Sequence, residues 1–554
     1  MMAKRKWLGA LLLIVVLALL VGCGGDGGGA VVEDAATNGV AEDAATNDAT
    51  ANDTADDTIT DVTANGDRSG RDLVVGVPVE PHHFTTMWST MSGDRDHIVL
   101  YNIYDTLLNF DADGNLQPWL VEEWEVSDDG LRIYMRLRDD VYFHNGTRLT
   151  ASDVAWTLNY AVEYPLGEGL LVNYDTTEVV DDLNFIVHMT SPFAPILNAF
   201  TSRTALIMSE AWFNEVGDLE AYRENPVGTG PFRFVSYSVG DSVVLEVFED
   251  YWGGAADFDT VTIQVITDIN TLLIALEAGD VDVAVDVPVG DLARLGGRIS
   301  WDAVPSNGTL AMYFNEIDAD SNWVGRDLYF RKAVQYAIDR DALNTVVFGD
   351  QGMPVQVFGP PSFTTRPAQG THYSYTHDLD RAMEFLEMSD YDGRDFDMLV
   401  MSGTASHRAA EVIQGSLFAV GINATITAVD APTFWDIVRG TGDFDSRVEI
   451  NVASLFDLDW LGNFFDRARF DHENTMFVDE EITDRLDYLI NAQRETANQD
   501  ERLEMITEMV DIILENALHI YMMVDVNAVA FNEDLSGVTS NMARFYRFHP
   551  WSWN

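Results

Sequence analysis

The sequence contains many side chains capable of acid–base or nucleophilic chemistry, but none of them stands in a familiar catalytic motif. It has no Gly-x-Ser-x-Gly elbow, no Walker loop and no His-Glu-x-x-His zinc motif. The GTG stretch at Gly228–Gly230 is followed by Pro231 and lacks the rest of a dinucleotide-binding fingerprint. Asp and Glu together number 91, so no single acidic pair is informative. We therefore predict a protein that is not an enzyme and requires no cofactor.

His82 and His83 are the best candidates for metal ligands in the sequence. Imidazole is a common metal ligand, but neighbouring residues of a strand point to opposite faces, and no Cys/His cluster accompanies the pair. We expect the two histidines to line a loop or a cleft, with no bound metal.

The only cysteine, Cys23, lies between an apolar segment and a polar one. Basic residues at 4–6 precede the apolar run Trp7–Val21, which is short for a membrane span and fits a secretory signal peptide. Leu20-Val21-Gly22-Cys23 is typical of a bacterial lipobox. We predict that residues 1–22 are a signal peptide and that lipidated Cys23 anchors an extracytoplasmic protein to the cell membrane.

Composition indicates a multidomain globular protein with an acidic surface. The chain has 554 residues, is 47% hydrophobic and carries a formal net charge of −59, so two or three domains are expected. Such a charge argues against nucleic acid and anionic membrane surfaces as partners. The negative charge could attract cationic ligands, but the acidic residues are spread along the whole chain, which is more typical of a solvated surface. Residues 23–70 are a low-complexity acidic stretch, which predicts a disordered linker.

The elements that follow the linker alternate between strands and helices, which predicts an α/β protein. In LRIYMRLR, apolar residues at 131, 133, 135 and 137 alternate with polar or aromatic ones, as in a half-buried strand. The patterns predict helices that stop at Gly279 and at Gly421, each followed by a strand. YFRKAVQYAIDRDALNTVVFG, from Tyr329 to Gly349, is predicted to be helical.

Several ordered segments carry a family resemblance. They are LYNIYDTLLNFDADGNLQPWLVEEWEVSDDG and its continuation to Leu158, NPVGTGPFRFVSYSVGDSVVLEVFEDYWGG, LEAGDVDVAVDVP, YFRKAVQYAIDRDAL and FAVGINATI. Together they resemble the family-5 solute-binding proteins of ABC transporters, which include oligopeptide-, dipeptide- and nickel-binding receptors. The resemblance runs from about residue 73 to the C-terminus.

The resemblance implies a two-lobed α/β fold of the periplasmic-binding-protein type (class II), with an extra subdomain and a hinge of crossing strands. It places lobe I at 71–306, with the inserted subdomain at about 101–214, and lobe II at 307–524. Residues 525–554 are expected to return to lobe I. A solute would bind in the cleft between the lobes, and its contacts with both lobes would drive closure.

The resemblance also implies an aspartate for the α-ammonium group of a peptide. Peptide-binding members place this aspartate seven residues before a phenylalanine, and in SLFDLDWLGNFF the spacing selects Asp457. A buried carboxylate needs a cationic partner, which an ammonium group supplies. The alternative is a turn or helix-cap aspartate, and Asp459 competes for either role. The backbone of Ser454, Leu455 and Phe456 could pair with an extended peptide as an added strand.

The remaining candidates for ligand contact are Tyr313, Asn315, Trp460, Trp88 and His83. Tyr313 and Asn315 would lie on a crossing segment near the cleft. Trp460 and Trp88 could form apolar walls, although core packing explains each as readily. His83 would matter for a nickel chelate.

One departure from the family bears on the ligand. Dipeptide-specific relatives carry an arginine for the ligand carboxylate shortly before the helix that begins HRAAEVIQ, but MLVMSGTAS has none at that place. This argues against a strict dipeptide receptor.

The leading hypothesis is therefore a monomeric, membrane-anchored receptor. It captures a peptide or similar small solute and delivers it to the permease and ATPase subunits of an ABC importer. The alternatives are a receptor for a nickel chelate or other non-peptide solute, a ligand sensor without transport, and an extracellular hydrolase, against which the missing catalytic motifs argue.

Overall fold

A computed structural model describes most of the chain after the predicted linker. The described residues are 71–82, 84–85, 96–111, 114–164, 170–315, 324–363, 365–367, 375–453, 456–466, 480–496 and 498–554. Among them, no helix is long and apolar enough to cross a membrane.

The strands follow one another along the whole described chain. They are β1 (Asp72–Val77), β2 (Leu108–Phe110), β3 (Leu116–Pro118), β4 (Val121–Val126), β5 (Arg132–Leu137), β6 (Tyr174–Val179), β7 (Asn184–Met189), β8 (Phe232–Ser238), β9 (Ser242–Val247), β10 (Thr260–Val265), β11 (Val283–Ala284), β12 (Ile299–Phe314), β13 (Met353–Pro354), β14 (Phe396–Met401), β15 (Ala424–Val429), β16 (Ser446–Val452), β17 (His519–Asn532), β18 (Leu535–Ser536) and β19 (Ser552–Trp553).

Helices lie between these strands. The α-helices are His97–Ile103, Ala151–Ala161, Ile196–Ala199, Glu210–Val216, Leu219–Glu224, Ile269–Ala278, Leu328–Ala337, Arg340–Phe348, Leu379–Met388, Ala405–Ala419, Ala431–Asp436, Gly462–Phe465, Glu480–Glu495 and Gln499–Glu515. Short 3₁₀ helices occupy Arg203–Ala205, Val289–Arg294, Val324–Arg326 and Leu458–Leu461, and Ile437–Thr441 is a π-helix.

One mixed sheet of eleven strands organises the described chain. Its order is β15-β14-β16-β12-β17-β11-β1-β10-β9-β8, and β13 pairs with β17. The long strands β12 and β17 are antiparallel neighbours at its centre. β17 continues the sheet towards β11 and β1, whereas β12 continues it towards β16 and β14. A separate antiparallel sheet, β4-β5-β7-β6, lies within the predicted inserted subdomain.

Most buried apolar side chains belong to two large cores. The first core draws on residues from Leu73 to Val285 and on residues between Val529 and Trp551, and the second core on residues from Leu272 to Ala543. The C-terminal residues Tyr546, Phe548 and Trp551 pack in the first core. The predicted boundary between lobes, at 306/307, falls where β12 changes its register against β17.

A buried carboxylate attaches this C-terminal tail to the first core. Asp105 is fully buried and accepts a hydrogen bond from Arg547 Nη1 at 3.1 Å. The indole nitrogens of Trp119 and Trp252 donate to the same carboxylate at 2.8 and 3.1 Å. The Arg547 guanidinium also lies over the Trp119 ring, 4.7 Å from its centre. These contacts explain how the tail stays on the first core.

The local predictions from hydrophobic pattern are largely confirmed. In β5, Ile133, Met135 and Leu137 are buried while the residues between them are exposed. Gly279 and Gly421 adopt φ values of +79° and +90°, which end the preceding helices as glycine permits.

The single helix predicted for Tyr329–Gly349 is wrong, because the structure has two helices there. Ile338 adopts an extended ψ of 121°. The Asp339 side chain then accepts hydrogen bonds from the backbone N–H groups of Asp341 and Ala342, and so caps the second helix. Apolar periodicity continues through this break and therefore could not reveal it.

The GTG segment is held by His144. Its Nε2 lies 2.9 Å from the Gly230 carbonyl oxygen, and its Nδ1 accepts from the Gly228 N–H at 3.3 Å. Together these bonds require a neutral ring with its proton on Nε2. Burial lowers the pKa of His144 to about 4, and the nearby charge of Arg233 acts in the same direction.

Acidification should therefore destabilise the protein through His144. Its pKa is lower in the folded protein than in the unfolded chain, so the unfolded chain binds more protons between pH 6.5 and about 4. The free energy of unfolding is unaffected by His144 above this window, and it falls by about 3 kcal/mol as the pH approaches the folded-state pKa. Urea unfolding of wild type and His144→Gln at both ends of the window should show a smaller acid-induced loss in the variant. Equal losses would contradict this role of His144.

Candidate functional site

The two long strands pair irregularly at the point predicted to form the hinge. The register of β12 against β17 shifts between Pro305 and Thr309. Within this stretch, the Asn307 backbone N–H donates to the Met542 carbonyl at 2.9 Å, and its Nδ2 donates to the Ala453 carbonyl at 2.8 Å. Asn307 therefore ties the crossing strand to the tail and to the segment after β16.

Met542, which accepts the hydrogen bond from Asn307, also lines a cavity of about 160 Å³. Its lining residues are Phe110, Gly114, Asn115, Leu116, Asn198, Ser362, Phe456 and Met542. They come from the predicted lobe I, the predicted lobe II and the tail. Every lining residue is uncharged, which suits the apolar and neutral polar parts of a solute.

We call this cavity the cleft, and residues of the two predicted lobes meet at its wall. The rings of Phe110 and Phe456, which both line it, meet edge to face with their centres 5.1 Å apart. Elsewhere between the predicted lobes, the Ala194 N–H donates to the Arg494 carbonyl at 2.8 Å. The described conformation is therefore one in which both sides are in contact.

Phe456 has an unusual backbone for a residue with a large side chain. Its φ is +53°, in the left-handed region that non-glycine residues seldom adopt. Its side chain is 6% exposed and also packs edge to face on Phe363 and Phe545, with ring centres 6.2 and 6.4 Å away. Surrounding contacts thus hold Phe456 in a strained conformation at the cleft, as is often found at ligand sites.

The residue after Phe456 belongs to a buried ion pair. Arg502 Nη1 and Nη2 donate to the two Asp457 oxygens at 2.9 and 2.6 Å. The Asp457 side chain also accepts from the Asp459 N–H at 2.7 Å, and so begins the 3₁₀ helix Leu458–Leu461. The capping role considered as an alternative for Asp457 is therefore confirmed.

A second buried arginine holds the next acidic residues. Arg494 donates to Asp459 Oδ1 at 2.6 Å and to Asp466 Oδ2 at 2.7 Å. Gln493 Nε2 donates to the same Asp459 oxygen at 2.5 Å. Because these groups are buried, loss of one partner would leave a costly unpaired charge. The two arginines fix the segment that follows Phe456 to the helices Glu480–Glu495 and Gln499–Glu515.

The other predicted ligand residues differ in position. Phe456 lines the cleft. Trp460 is half-buried beside the second core, and its Nε1 donates to Asn451 Oδ1 at 2.7 Å. Tyr313 is fully buried and stacks on Phe464, with ring centres 5.2 Å apart, so it has no exposed surface for a solute in this conformation.

Asn315 bonds within the protein, because its Nδ2 donates to the carbonyls of Gly442 and Phe444 at 2.5 and 2.6 Å. Asp457 has partners from the protein itself, as described above. A role in ligand binding stays a prediction for all these residues. The predictions for Cys23, His83, Trp88, Ser454 and Leu455 lie outside the described residues.

Sequence reasoning missed Phe110, Ser362 and Met542 in the cleft, and no motif distinguishes them. It also missed Arg494 and Arg502, although a signal was present. In this acidic chain, both arginines fall on the apolar face of a helical pattern, where a buried cation needs an acidic partner.

The fold and the cleft between its two sides define a two-lobed solute-binding protein. Residues 115–470 match the family described as bacterial extracellular solute-binding proteins, family 5. The chain belongs to this family, which confirms the resemblance and implies an extracytoplasmic location.

Similar proteins include the glutathione-binding protein GsiB of Salmonella typhi, which is 28% identical over 490 residues, covering 85% of this chain and 92% of that protein. Among solved structures, NikA from Brucella suis in complex with Fe(III)-EDTA has a TM-score of 0.78 at 20% identity and covers 87% of this chain and 100% of its own. The oligopeptide-binding protein AppA from Bacillus subtilis, in complex with a nonapeptide, has a TM-score of 0.73 at 22% identity, with coverages of 87% and 99%. These structures confirm the predicted two-lobed α/β fold.

Proposed function

We propose that this protein is the solute receptor of an ABC importer, and that it captures a peptide or similar small solute and releases it unchanged. The observation that carries the proposal is the cleft, whose uncharged lining residues come from the predicted lobe I, the predicted lobe II and the C-terminal tail. Family membership supports it, as do relatives named for glutathione and oligopeptides.

Closure of the lobes around the solute would be the mechanism. A solute that contacts both walls gains interactions only in the closed state, so its binding shifts the population towards closure. The irregular pairing around Asn307 offers a place for the two long strands to bend. The permease and its ATPase subunits would then recognise the closed receptor, which acts as a monomer.

Native mass spectrometry of the protein purified from its own cells tests this proposal. We expect a peptide or similar small solute to co-purify and to be displaced by added peptides. A co-purified nickel chelate, displaced by no peptide, would instead favour the alternative ligand. Conversion of any added solute into product would reject a pure binding role.

A contact between Asp457 and the ammonium group of a peptide remains part of the proposal. Asp457→Ala alone would also leave Arg502 without its partner, so its effect on affinity would be ambiguous. The double variant Asp457→Ala/Arg502→Met removes both charges and separates the two roles. If Asp457 binds the ammonium group, the double variant should still bind peptides more than about tenfold more weakly, a loss of about 1.4 kcal/mol. Wild-type affinity in the double variant would show that Asp457 does not bind the ammonium group and has only its structural roles, pairing with Arg502 and capping the 3₁₀ helix.

Lipidation of Cys23 is also proposed, on the basis of the preceding apolar run and lipobox. Cys23→Ser should move the protein from the membrane fraction to the soluble fraction, because it removes the sulfur that carries the lipid. Cell fractionation with immunoblotting measures this, and a serine substitution in the linker at Ala35 serves as the control. Continued membrane association of Cys23→Ser would reject the anchor.

A further inference from the structure

A surface groove of about 470 Å³ lies on the predicted inserted subdomain and shares no lining residue with the cleft. Its lining comes from two helices, from the residues just after the first of them, and from β6. Two of its side chains are aromatic, Trp156 and Tyr160, and two are carboxylates, Glu163 and Glu210. None of its described lining residues is basic. The groove therefore combines aromatic rings with negative charge.

The aromatic rings form a small layer on the surface of the first core. Trp156 and Tyr160 lie one turn apart on the helix Ala151–Ala161, and their rings stack with centres 5.2 Å apart and 16° between their planes. The ring of Phe213 lies beside both, with its centre 4.9 Å from that of Trp156 and 5.5 Å from that of Tyr160. All three side chains are half-buried, so part of each remains open to solvent.

The two carboxylates of the groove are not used by the protein itself. Neither Glu163 nor Glu210 makes a side-chain hydrogen bond or an ion pair with any residue of the described chain. Burial, the hydrogen bond with Tyr164 and the charge of Glu163 raise the pKa of Tyr160, so its ring stays neutral. The groove thus keeps its negative charge and its uncharged rings at neutral pH.

A similar pair of stacked rings, in the second core, is covered by the protein's own cations. Tyr336 and Phe385 stack with centres 5.6 Å apart and 13° between their planes. The Arg381 guanidinium lies 4.8 and 5.8 Å from the two ring centres, and Lys332 Nζ lies 5.9 Å from that of Phe385. Within the described chain, no lysine or arginine lies over any of the three rings of the groove. The groove therefore lacks the cation that the second pair has.

An arginine side chain would satisfy both features of the groove. A guanidinium group is attracted to the face of an aromatic ring and stacks on it, and its N–H fork also pairs with a carboxylate beside the ring. The groove is open, because the side chains of Ser152, Asn159 and Val179 at its edges are exposed. It would leave most of a small molecule in water, whereas a polypeptide could add contacts along these edges.

We propose that this groove docks an arginine side chain of a partner polypeptide, as Arg381 covers the stacked pair of the second core. The partner is thus a protein that presents arginine on an exposed segment. Charge complementarity favours such a partner, because the groove has two carboxylates and no basic residue in its described lining. The proposal concerns a surface outside the cleft and does not depend on what the cleft binds.

The test uses the full chain and the blocked peptide acetyl-Gly-Gly-Arg-Gly-Gly-amide, with a control peptide in which neutral citrulline replaces arginine. Isothermal titration calorimetry measures the two affinities, and hydrogen–deuterium exchange mass spectrometry locates the binding site. We expect the arginine peptide to bind about fivefold or more tightly than the citrulline peptide. We also expect it to slow exchange at residues 152–163 and 210–213.

Variants of the groove separate its charge from its rings. Glu163→Gln/Glu210→Gln keeps the shape but removes the charge, and Trp156→Leu removes one ring. Each should reduce the preference for arginine to below about twofold. The control Glu215→Gln/Glu224→Gln removes the same charge from exposed side chains outside the groove lining, and it should keep the wild-type preference.

No measurable binding of the arginine peptide, equal affinities for the two peptides, or slowed exchange confined to the cleft would overturn the proposal. An equal loss of preference in the control double variant would also overturn it, because net charge alone would then explain binding. If acetylarginine amide binds as tightly as the peptide, the groove takes a small cation and the partner polypeptide is rejected. Capture of a solute in the cleft is tested separately by co-purification.

Discussion

Replacing Arg502 by methionine is expected to lower the free energy of unfolding by about 3–5 kcal/mol. Its side chain is 3% exposed and gives Asp457 two hydrogen bonds, at 2.6 and 2.9 Å. Methionine preserves much of the apolar stem but removes the cation, so the buried carboxylate of Asp457 loses its counterion. Urea unfolding at neutral pH measures the loss.

Arg485→Met is the matched control for this prediction. Arg485 lies on the helix Glu480–Glu495 and pairs with Glu508 of the next helix, at 2.6 and 2.7 Å, but both side chains are 44% exposed. Water solvates these charges when the pair is broken, so the expected loss is below about 1 kcal/mol. Similar losses of unfolding free energy in Arg485→Met and Arg502→Met would contradict the prediction that burial makes the Arg502–Asp457 pair the costlier one to break.

Gly228→Ala is expected to prevent stable folding, with a loss of more than about 4 kcal/mol. A Cβ atom at this position would lie 2.1 Å from the Ile103 carbonyl oxygen and 2.7 Å from Tyr104 Cδ1. The carbonyl oxygen belongs to the backbone, so relief of the clash requires movement of the helix end against the GTG segment. Soluble yield and circular dichroism would report the failure.

Gly415→Ala provides the opposite expectation. Gly415 lies within the helix Ala405–Ala419, and a Cβ atom there would meet nothing within 4 Å. Because alanine favours the helix over glycine, this change should stabilise the protein by up to about 1 kcal/mol. A Gly228→Ala protein as stable as wild type would contradict the close approach of the two segments.

Much of the local fold could be predicted because it depends on short-range patterns. The alternation in β5 and the glycines at 279 and 421 specify a strand and two helix ends from a few neighbouring residues. The break at Ile338 depends on a side-chain cap from Asp339, which competes with an unbroken apolar pattern. The pairing of β12 with β17 joins residues about 200 positions apart, and only the family resemblance anticipated a crossing of strands.

The site was less predictable, because its charged side chains pair with one another inside the protein and are not reserved for a ligand. The spacing that selects Asp457 is real, but sequence alone could not show that Arg502, 45 residues later, supplies its cation. Tyr313 was expected near the cleft. Side chains of a strand alternate between the two faces of the sheet, and the Tyr313 side chain lies on the face that packs on Phe464 in the second core.

Small-angle X-ray scattering of the full chain, with and without the solute found by native mass spectrometry, tests lobe closure, and recovery of that solute tests release without chemistry. We expect a smaller radius of gyration when the solute is bound, because the lobes close, and recovery of the solute chemically unchanged. Identical scattering profiles with saturating solute would reject closure, and the appearance of a reaction product would reject a pure binding role.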